Sequence, residues 1–319
     1  MYFSALVSKA VYGAFGFQQL LLGIQVAASE DAGKTWTVNK LLTIDHDIKL
    51  LGTDRQWLAF GQDDVVYVSF QDTEGLGILV ARSDDGGRTF GAFVNAIENS
   101  PVGDGYIGGP PMVDASGRLF IPHFTYFYVG YAGITLEQVF PYAPGALRVA
   151  WSDDGGETFA VADVYRPEAG EPGAFFPVMV EDARSALHLA WWNFEKGVLI
   201  ASSLDRGATW TTPVHVGPNV TAAFASPWLL AHDDVLDVLW FAGEHDAESA
   251  DLLITRIPLG SGVASAVTVG NVTGYQFRGG NTDFAHATLL PDGRVVAVLG
   301  DVKFEDARTV VEEVGEVPS

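Results

Sequence analysis

Short apolar runs alternate with polar turns along the whole chain, and the runs have the length and the β-branched, aromatic character of strands. The fullest set covers 54–60, 65–71, 77–82 and 90–96, separated by clusters of Gly, Asp and Ser. That pattern predicts one four-stranded antiparallel unit. Similar sets are expected at 111–114, 119–124, 146–151 and 159–165, at 175–181, 186–192, 198–203 and 210–216, and at 223–230, 235–241, 252–257 and 264–269. The first set (5–14, 20–27, 36–42) and the last (284–290, 295–299, 309–314) are each one strand short. Residues 10–28 carry no charge and follow Lys9, as a membrane span or signal segment would. Gln18, Gln19 and Gln25 interrupt that run, and it leads straight into a repeat in the same register as later copies. Two buried strands are therefore expected there, with any secretion signal already lost from this sequence. The longest stretch without a predicted strand, 126–145, is of a length that more often carries function than mere connection.

Four turns share one pattern. Ser29-Glu30-Asp31-Ala32-Gly33-Lys34-Thr35-Trp36 is followed by copies beginning at Ser83, Ser152 and Ser203, spaced 54, 69 and 51 residues apart. The common form is Ser-x-Asp-x-Gly-x-Thr-Trp/Phe, and a period near 50 residues points to propeller blades. The chemistry needs no ligand. The Asp accepts hydrogen bonds from backbone N–H groups of its own turn, Ser and Thr close it from either end, and Gly supplies a positive φ. The terminal aromatic is expected to bury its ring between neighbouring units. Asp153-Asp154-Gly155 lacks the alternating ligands and closing Glu of a calcium loop, so no metal is expected.

On these residues the chain resembles the Asp-box repeats of the sialidase (neuraminidase-like) β-propeller superfamily, over about residues 20–215. The resemblance implies a six-bladed β-propeller of four-stranded antiparallel blades, filling 1–319 as one domain whose terminal blades are incomplete or close each other. It also implies that the boxes lie between third and fourth strands on one face. Loops joining second to third strands, and blade to blade, then fall on the opposite face.

Composition narrows the partners. With 18 basic against 40 acidic residues, the formal net charge is −22, which opposes binding to nucleic acid or to an anionic membrane surface. The absence of Cys removes disulfides, thiolate nucleophiles and Cys-ligated zinc. No cofactor is expected, since phosphate-loop and dinucleotide motifs are missing, and no Ser-His-Asp constellation is apparent. The sequons Asn219-Val220-Thr221 and Asn271-Val272-Thr273, with the acidic surface, favour an extracellular or cell-surface location.

The face opposite the boxes is expected to receive the candidate chemistry. Sialidases clamp the substrate carboxylate with three arginines and use a Tyr nucleophile assisted by Glu, with an Asp acid/base. By that resemblance Arg55, Arg166 and Arg278 are the clamp, Tyr106 or Tyr275 the nucleophile, Glu195 or Glu244 its partner, and Asp72 the acid/base. Trp57, Trp228 and Asp283 are candidate sugar-binding residues, aromatic rings covering sugar faces while polar groups read hydroxyls. The family's Phe/Tyr-Arg-Ile/Val-Pro motif is missing, and its closest string is Tyr165-Arg166-Pro167. Plainer roles exist as well. Arg55 is placed to pair with Asp54 or stack on Trp57, Arg278 to brace the last blade, and Glu244-His245-Asp246 to form a solvated loop. His123, His188, His232 and His286 sit singly on strand patterns and are expected to be mostly buried and hydrogen-bonded. Two readings stand: a propeller that binds glycans, or protein partners through its terminal blades, and a sialidase-like exo-glycoside hydrolase acting on acidic sugars.

Overall fold

The structure is a computed structural model. It describes residues 2–13, 16–31, 33–38, 53–72, 77–97, 104–127, 145–168, 173–193, 195–216, 226–242, 249–260, 268–270, 276–278, 285–290, 295–301 and 308–314. These residues form strands and turns, and no helix among them is long and apolar enough to cross a membrane. The uncharged 10–28 stretch lies largely in two paired strands, β1 (Tyr2–Gly13) and β2 (Gly16–Ala28). The chain divides into two compact units: Met1–Tyr128 with Ala150–Val161, and Val129–Val149 with Ala162–Ser319.

In the first unit, β1, β2 and β3 (Thr37–Val38) form a three-stranded sheet. The next sheet runs β4 (Thr53–Phe60), β5 (Val66–Asp72), β6 (Gly77–Ser83), β7 (Val94–Ile97) in order. A third contains β8 (Asp104–Gly108), β9 (Met112–Val113) and β10 (Leu119–Phe127), and is completed by β11 (Leu147–Ser152) and β12 (Ala160–Tyr165), whose residues are divided between the two units. The second unit holds β13 (Ala174–Glu181), β14 (Leu187–Asn193), β15 (Gly197–Ser203) and β16 (Val214–His215) as one sheet. There follow β17 (Trp228–His232), β18 (Val235–Ala242), β19 (Ser249–Pro258), β20 (Thr268–Gly270) and β21 (Gln276–Arg278) as another. The last is three-stranded: β22 (Ala285–Leu289), β23 (Val295–Asp301), β24 (Arg308–Val314). First strands meet: β4 touches β1 and β9, and β17 touches both β13 and β22.

Burial on both faces explains why the strands read as continuous apolar runs rather than alternating ones. Val68, Phe70, Leu79 and Ala81 face β2 residues Ile24 and Val26 in one core. Their neighbours Tyr67, Ile78 and Val80 face the third sheet, with Leu119, Ile121 and Ala150. Fourth strands start later than the sequence pattern suggests: β7 begins at Val94 instead of 90, and β16 is confined to Val214–His215 instead of 210–216. Residues after each box are used first to close the turn. β8, at 104–108, is an additional strand that the pattern did not reveal.

All four boxes close identically. The Ser hydroxyl donates to one Asp oxygen and accepts the Gly N–H; the Asp also accepts the Thr N–H and the Thr hydroxyl. The Thr bonds, first its hydroxyl and then its N–H, hold Asp31 and Asp85 down at about 2, and Asp154 and Asp205 also lie below the usual carboxylate range. The terminal aromatics divide in use. Phe90 and Phe159 pack against cores, whereas Trp36 and Trp210 donate their indole N–H to the box carbonyls of Gly33 and Gly207. Trp36 is 41% exposed, so the expected burial between units does not hold for it.

A second capped turn recurs between first and second strands. Asp114 Oδ1 accepts the N–H groups of Ser116 and Arg118, and Asp182 Oδ1 accepts those of Arg184 and Ala186. These aspartates went unmarked in the sequence because they lack the box's Ser two residues before and Thr four residues after. Box glycines also seat a neighbour. The Tyr67 ring lies on Gly156, and the Arg82 guanidinium covers Gly155 so closely that a Cβ built there falls 1.9 Å from Nη1.

Two predictions follow from the turns. A depressed folded-state pKa gives stability that is present above the unfolded value and lost as pH falls through the folded one. The box contribution is therefore complete above about pH 4 and disappears toward pH 2 for Asp31 and Asp85. Asp85→Asn should lower Tm at pH 7 and shrink the difference from wild type at pH 2, as followed by circular dichroism. Gly155→Ala, at φ +78, should lose about 1–2 kcal/mol from its left-handed backbone plus the displaced Arg82 contact. Gly117→Ala, at φ +89 with open space around it, should lose the backbone part alone in denaturant titrations.

Candidate functional site

Within each sheet, the hairpin carrying the box and the first-to-second-strand turn share one end, so second-to-third-strand connections lie at the other. Arg55 and Trp57 sit near the start of β4, which pairs there with the end of β5 and Asp72. Tyr106 pairs with Thr125, Arg166 follows the end of β12, and Glu195 lies in the β14–β15 turn. Trp228 opens β17, and Arg278 pairs with Ser249 at the start of β19. Every candidate in the described residues thus lies toward the end of its own sheet opposite the boxes. Tyr275, Asp283 and Glu244-His245-Asp246 lie outside the described residues, as do Asn219 and Asn271.

Arg55 stands at a β-bulge. Asp54 faces Gln71 and Trp57 faces Ser69, so Arg55 and Gln56 together oppose Phe70. Its φ is 52°, and its N–H donates to Asp54 Oδ1 at 2.7 Å. The same device recurs in β13, where Phe176 (φ 54°) and Pro177 oppose Trp191. An extra residue bends the strand and turns the next side chain. A left-handed φ is costly for residues with a Cβ, and such strain clusters where side chains must be aimed.

Other candidates are committed to packing or pairing. Tyr106 is 6% exposed, inside the core with Ile78 and Ile97 and edge-on to His123 at 5.9 Å. Arg166 is exposed, its Nε donating to Asp163 at 2.6 Å, while Arg148 holds the other oxygen at 2.8 Å. Burial works to raise Asp163, but the hydrogen bonds from Arg166 and Arg148 outweigh it and leave the carboxyl below its usual range. Trp228 donates its indole N–H to Ala287 O at 2.9 Å and lies against the His286 ring, joining two sheets. The Glu195 side chain is exposed, and Asn193 Oδ1 accepts the N–H groups of both Glu195 and Lys196.

Beside that turn is a cluster the sequence did not mark. Lys196 Nζ donates to Tyr165 OH at 3.4 Å and lies over its ring, and Tyr165 in turn packs on Trp191. Burial, then the charge of Glu168, raises the Tyr165 hydroxyl. Only side-chain packing between the end of β12 and the β14–β15 turn reveals this group, since Tyr165 and Lys196 are 31 residues apart.

His123, His188 and His232 serve the structure, one of them in an unexpected arrangement, whereas His286 is exposed rather than buried. His123 is buried and donates Nδ1–H to Ile121 O, and His232 binds the buried Asp237, which Arg256 grips with two nitrogens. His188 Nε2 lies 3.1 Å from Asp182 Oδ2 and Nδ1 2.8 Å from Ser202 Oγ. The sequence showed no Ser-His-Asp constellation, yet the fold assembles one. Asp182, His188 and Ser202 are 7%, 0% and 1% exposed, so no substrate reaches the serine. The three cross-link adjacent strands to the Asp182 turn. Burial pushes the His188 imidazole below its ordinary value, with Asp182 opposing.

No protein-family model matches the chain, and no curated protein matches its sequence. Solved structures match its fold. An ulvan lyase, a polysaccharide lyase bound to a GlcA(1-4)Rha3S unit, aligns over 98% of this chain and 76% of its own, with TM-score 0.63 and 13% identity. The intramolecular trans-sialidase of Ruminococcus gnavus, in complex with oseltamivir carboxylate, aligns over 98% and 91%, with TM-score 0.61 and 11% identity. A Dyadobacter fermentans protein of unknown function aligns over 91% and 83%, with TM-score 0.61 and 15% identity. At such identities the likeness shows the fold alone: an all-β, sialidase-like propeller built of antiparallel sheets.

The bulge yields a direct test of strain. Arg55→Gly removes the left-handed penalty that Arg55→Ala keeps, so the glycine variant should be the more stable by about 1 kcal/mol in urea titrations.

Proposed function

We propose that the chain, read as a single propeller over 1–319, binds glycans outside the cell or at its surface, using the sheet ends opposite the boxes. The observation that carries this reading is the fold match over 98% of the chain to a polysaccharide lyase bound to a GlcA(1-4)Rha3S unit and to an intramolecular trans-sialidase in complex with oseltamivir carboxylate. Arg55 and Trp57 in the first unit, and Tyr165, Arg166 and Lys196 in the second, each lie at those ends of their own sheets and offer the rings and charges that saccharides require. Binding is preferred over hydrolysis because Tyr106 is a core residue and Arg166 is already paired with Asp163. A nucleophile must reach its substrate, and a clamp must have its guanidinium available.

Hydrolysis of acidic sugars is the second reading, with Arg55, Asp72, Tyr275 and Arg278 as its remaining candidates. The left-handed backbone at Arg55 favours it, because strained residues gather where side chains are aimed at chemistry. Protein partners at the terminal blades remain part of the binding proposal.

One experiment separates the two. On a glycan array together with aryl-glycoside and sialyl-lactose assays, the binding reading expects saturable retention without turnover. Arg55→Ala should then weaken retention roughly ten-fold, the scale of one lost charge-assisted hydrogen bond. Turnover abolished by Arg55→Ala and Asp72→Asn would establish hydrolysis instead. Neither retention nor turnover would refute both.

A further inference from the structure

The four boxes share Ser, Asp, Gly and Thr but differ in the residue that follows the Asp. It is Ala32 in the first and Arg206 in the fourth, and glycine in the second and third, Gly86 and Gly155. An Asp-Gly pair is especially open to succinimide formation, because no Cβ on the second residue hinders its nitrogen. The glycine nitrogen attacks the Asp Cγ, the N–H proton and the carboxyl OH leave as water, and a five-membered ring remains. Water then opens the ring at either carbonyl. Opening at the former main-chain carbonyl gives isoaspartate, whose backbone runs through Cγ and is longer by a single carbon.

Ring closure has two requirements. The carboxyl must be protonated, since an ionised carboxylate has no OH to lose as water, and it must swing onto the next nitrogen. The box opposes both. Asp154 Oδ1 accepts the Ser152 hydroxyl at 2.7 Å and the N–H groups of Glu157 and Thr158 at 3.1 and 2.9 Å, and Oδ2 accepts the Thr158 hydroxyl. These bonds tie the carboxyl to residues three and four places ahead, and closure onto Gly155 has to break them. They also hold it in the charged form, the Thr158 hydroxyl most of all. Asp85 is held at about 2 by Thr89, hydroxyl first and N–H next, and at pH 5 it is protonated about sixty times less often than at its ordinary 3.8.

The two pairs differ at the nucleophile. Gly86 N–H donates to Asp64 O at 2.9 Å, so that nitrogen is engaged as well. Gly155 N–H has no protein acceptor among the described residues, and Gly155 is only half-buried. Its attack is restrained by the carboxylate's bonds, without the second lock that Asp64 supplies to Gly86.

We propose that Asp154–Gly155 is a latent site of isoaspartate formation, held shut by the bonds of its own box and opened when they are lost. The product carries its carboxylate directly on Cα and cannot re-form the box. The same turn bears Gly155 and Gly156, on which Arg82 and Tyr67 of the preceding sheet rest. A single event therefore removes a turn and a junction together. The glycan reading plays no part in this chemistry.

The test is peptide mapping of the whole chain after incubation at pH 5, with isoaspartate identified by electron-based fragmentation. In the folded wild type, isoaspartate at Asp154 should form at least about ten-fold more slowly than in the same chain unfolded in urea. Thr158→Val deletes the hydroxyl bond and should raise the rate at Asp154 about ten-fold while Asp85 stays as in wild type. Thr158→Ser, which keeps the hydroxyl, should stay near wild type. Thr89→Val should raise the rate at Asp85 by less, because Gly86 N–H is still bound to Asp64. Where Thr158→Val folds poorly, Ser152→Ala removes another bond to the same carboxylate and should give the same local rise. Reaction of Asp154 as fast in the folded chain as in urea overturns the proposal. So does an unchanged rate at Asp154 in Thr158→Val and Ser152→Ala when both are folded by circular dichroism, or an equal rise at Asp85, which marks general opening.

Discussion

One carboxylate holds each repeated turn, and the sheets depend on it. A box chain must reverse direction within a few residues and leave several backbone N–H groups pointing inward. The Asp satisfies the Thr N–H, its hydroxyl and the Ser hydroxyl at once, while the Ser oxygen takes the Gly N–H. Because the turn is self-sufficient, it needs no partner from another sheet. Its glycines are then free to seat the neighbouring sheet's tyrosine, as Gly86–Gly87 and Gly155–Gly156 do. The same exposed carboxylates account for part of the −22 charge without being directed at any ligand.

Fixed and variable positions of the repeat have separate duties. Ser, Asp, Gly and Thr make the turn, and the residues between them face the junctions. At the Tyr67 junction the guanidinium over the first box glycine comes from Arg82 on the preceding strand; at the Tyr2 junction, where Ala28 stands in that place, it comes from Arg88 within the box itself. Bulges do the same for first strands. Arg55–Gln56 and Phe176–Pro177 oppose single buried aromatics, Phe70 and Trp191, yet one bulge carries a cation and the other an apolar ring.

Much of this was legible in the chain because strand burial on both faces and turn chemistry are local. The apolar runs located most strands, and the box spacing located the turns between them. Three features escaped. The Asp114 and Asp182 turns lack a repeated sequence frame, and β8 lies in a Gly-rich stretch with a weak apolar pattern. Fourth strands start late because Phe90 and Trp210 are drawn into core and turn contacts before pairing begins.

The candidate site was legible only in outline. Sequence order put Arg55, Arg166, Tyr106 and Glu195 toward the ends of their sheets opposite the boxes, since hairpin connectivity alternates ends. It did not show that Tyr106 packs inside the core or that Arg166 is held by Asp163, because those outcomes depend on neighbouring strands. Nor did it show that Ser202, His188 and Asp182 meet, since their contact arises from cross-strand register rather than spacing. The sequence by itself determined the turns and the all-β class, through hydrogen bonds closed within eight residues and through apolar periodicity. Which side chains are buried, paired or exposed was decided only by tertiary structure, because strand register and sheet packing bring together residues far apart in the chain.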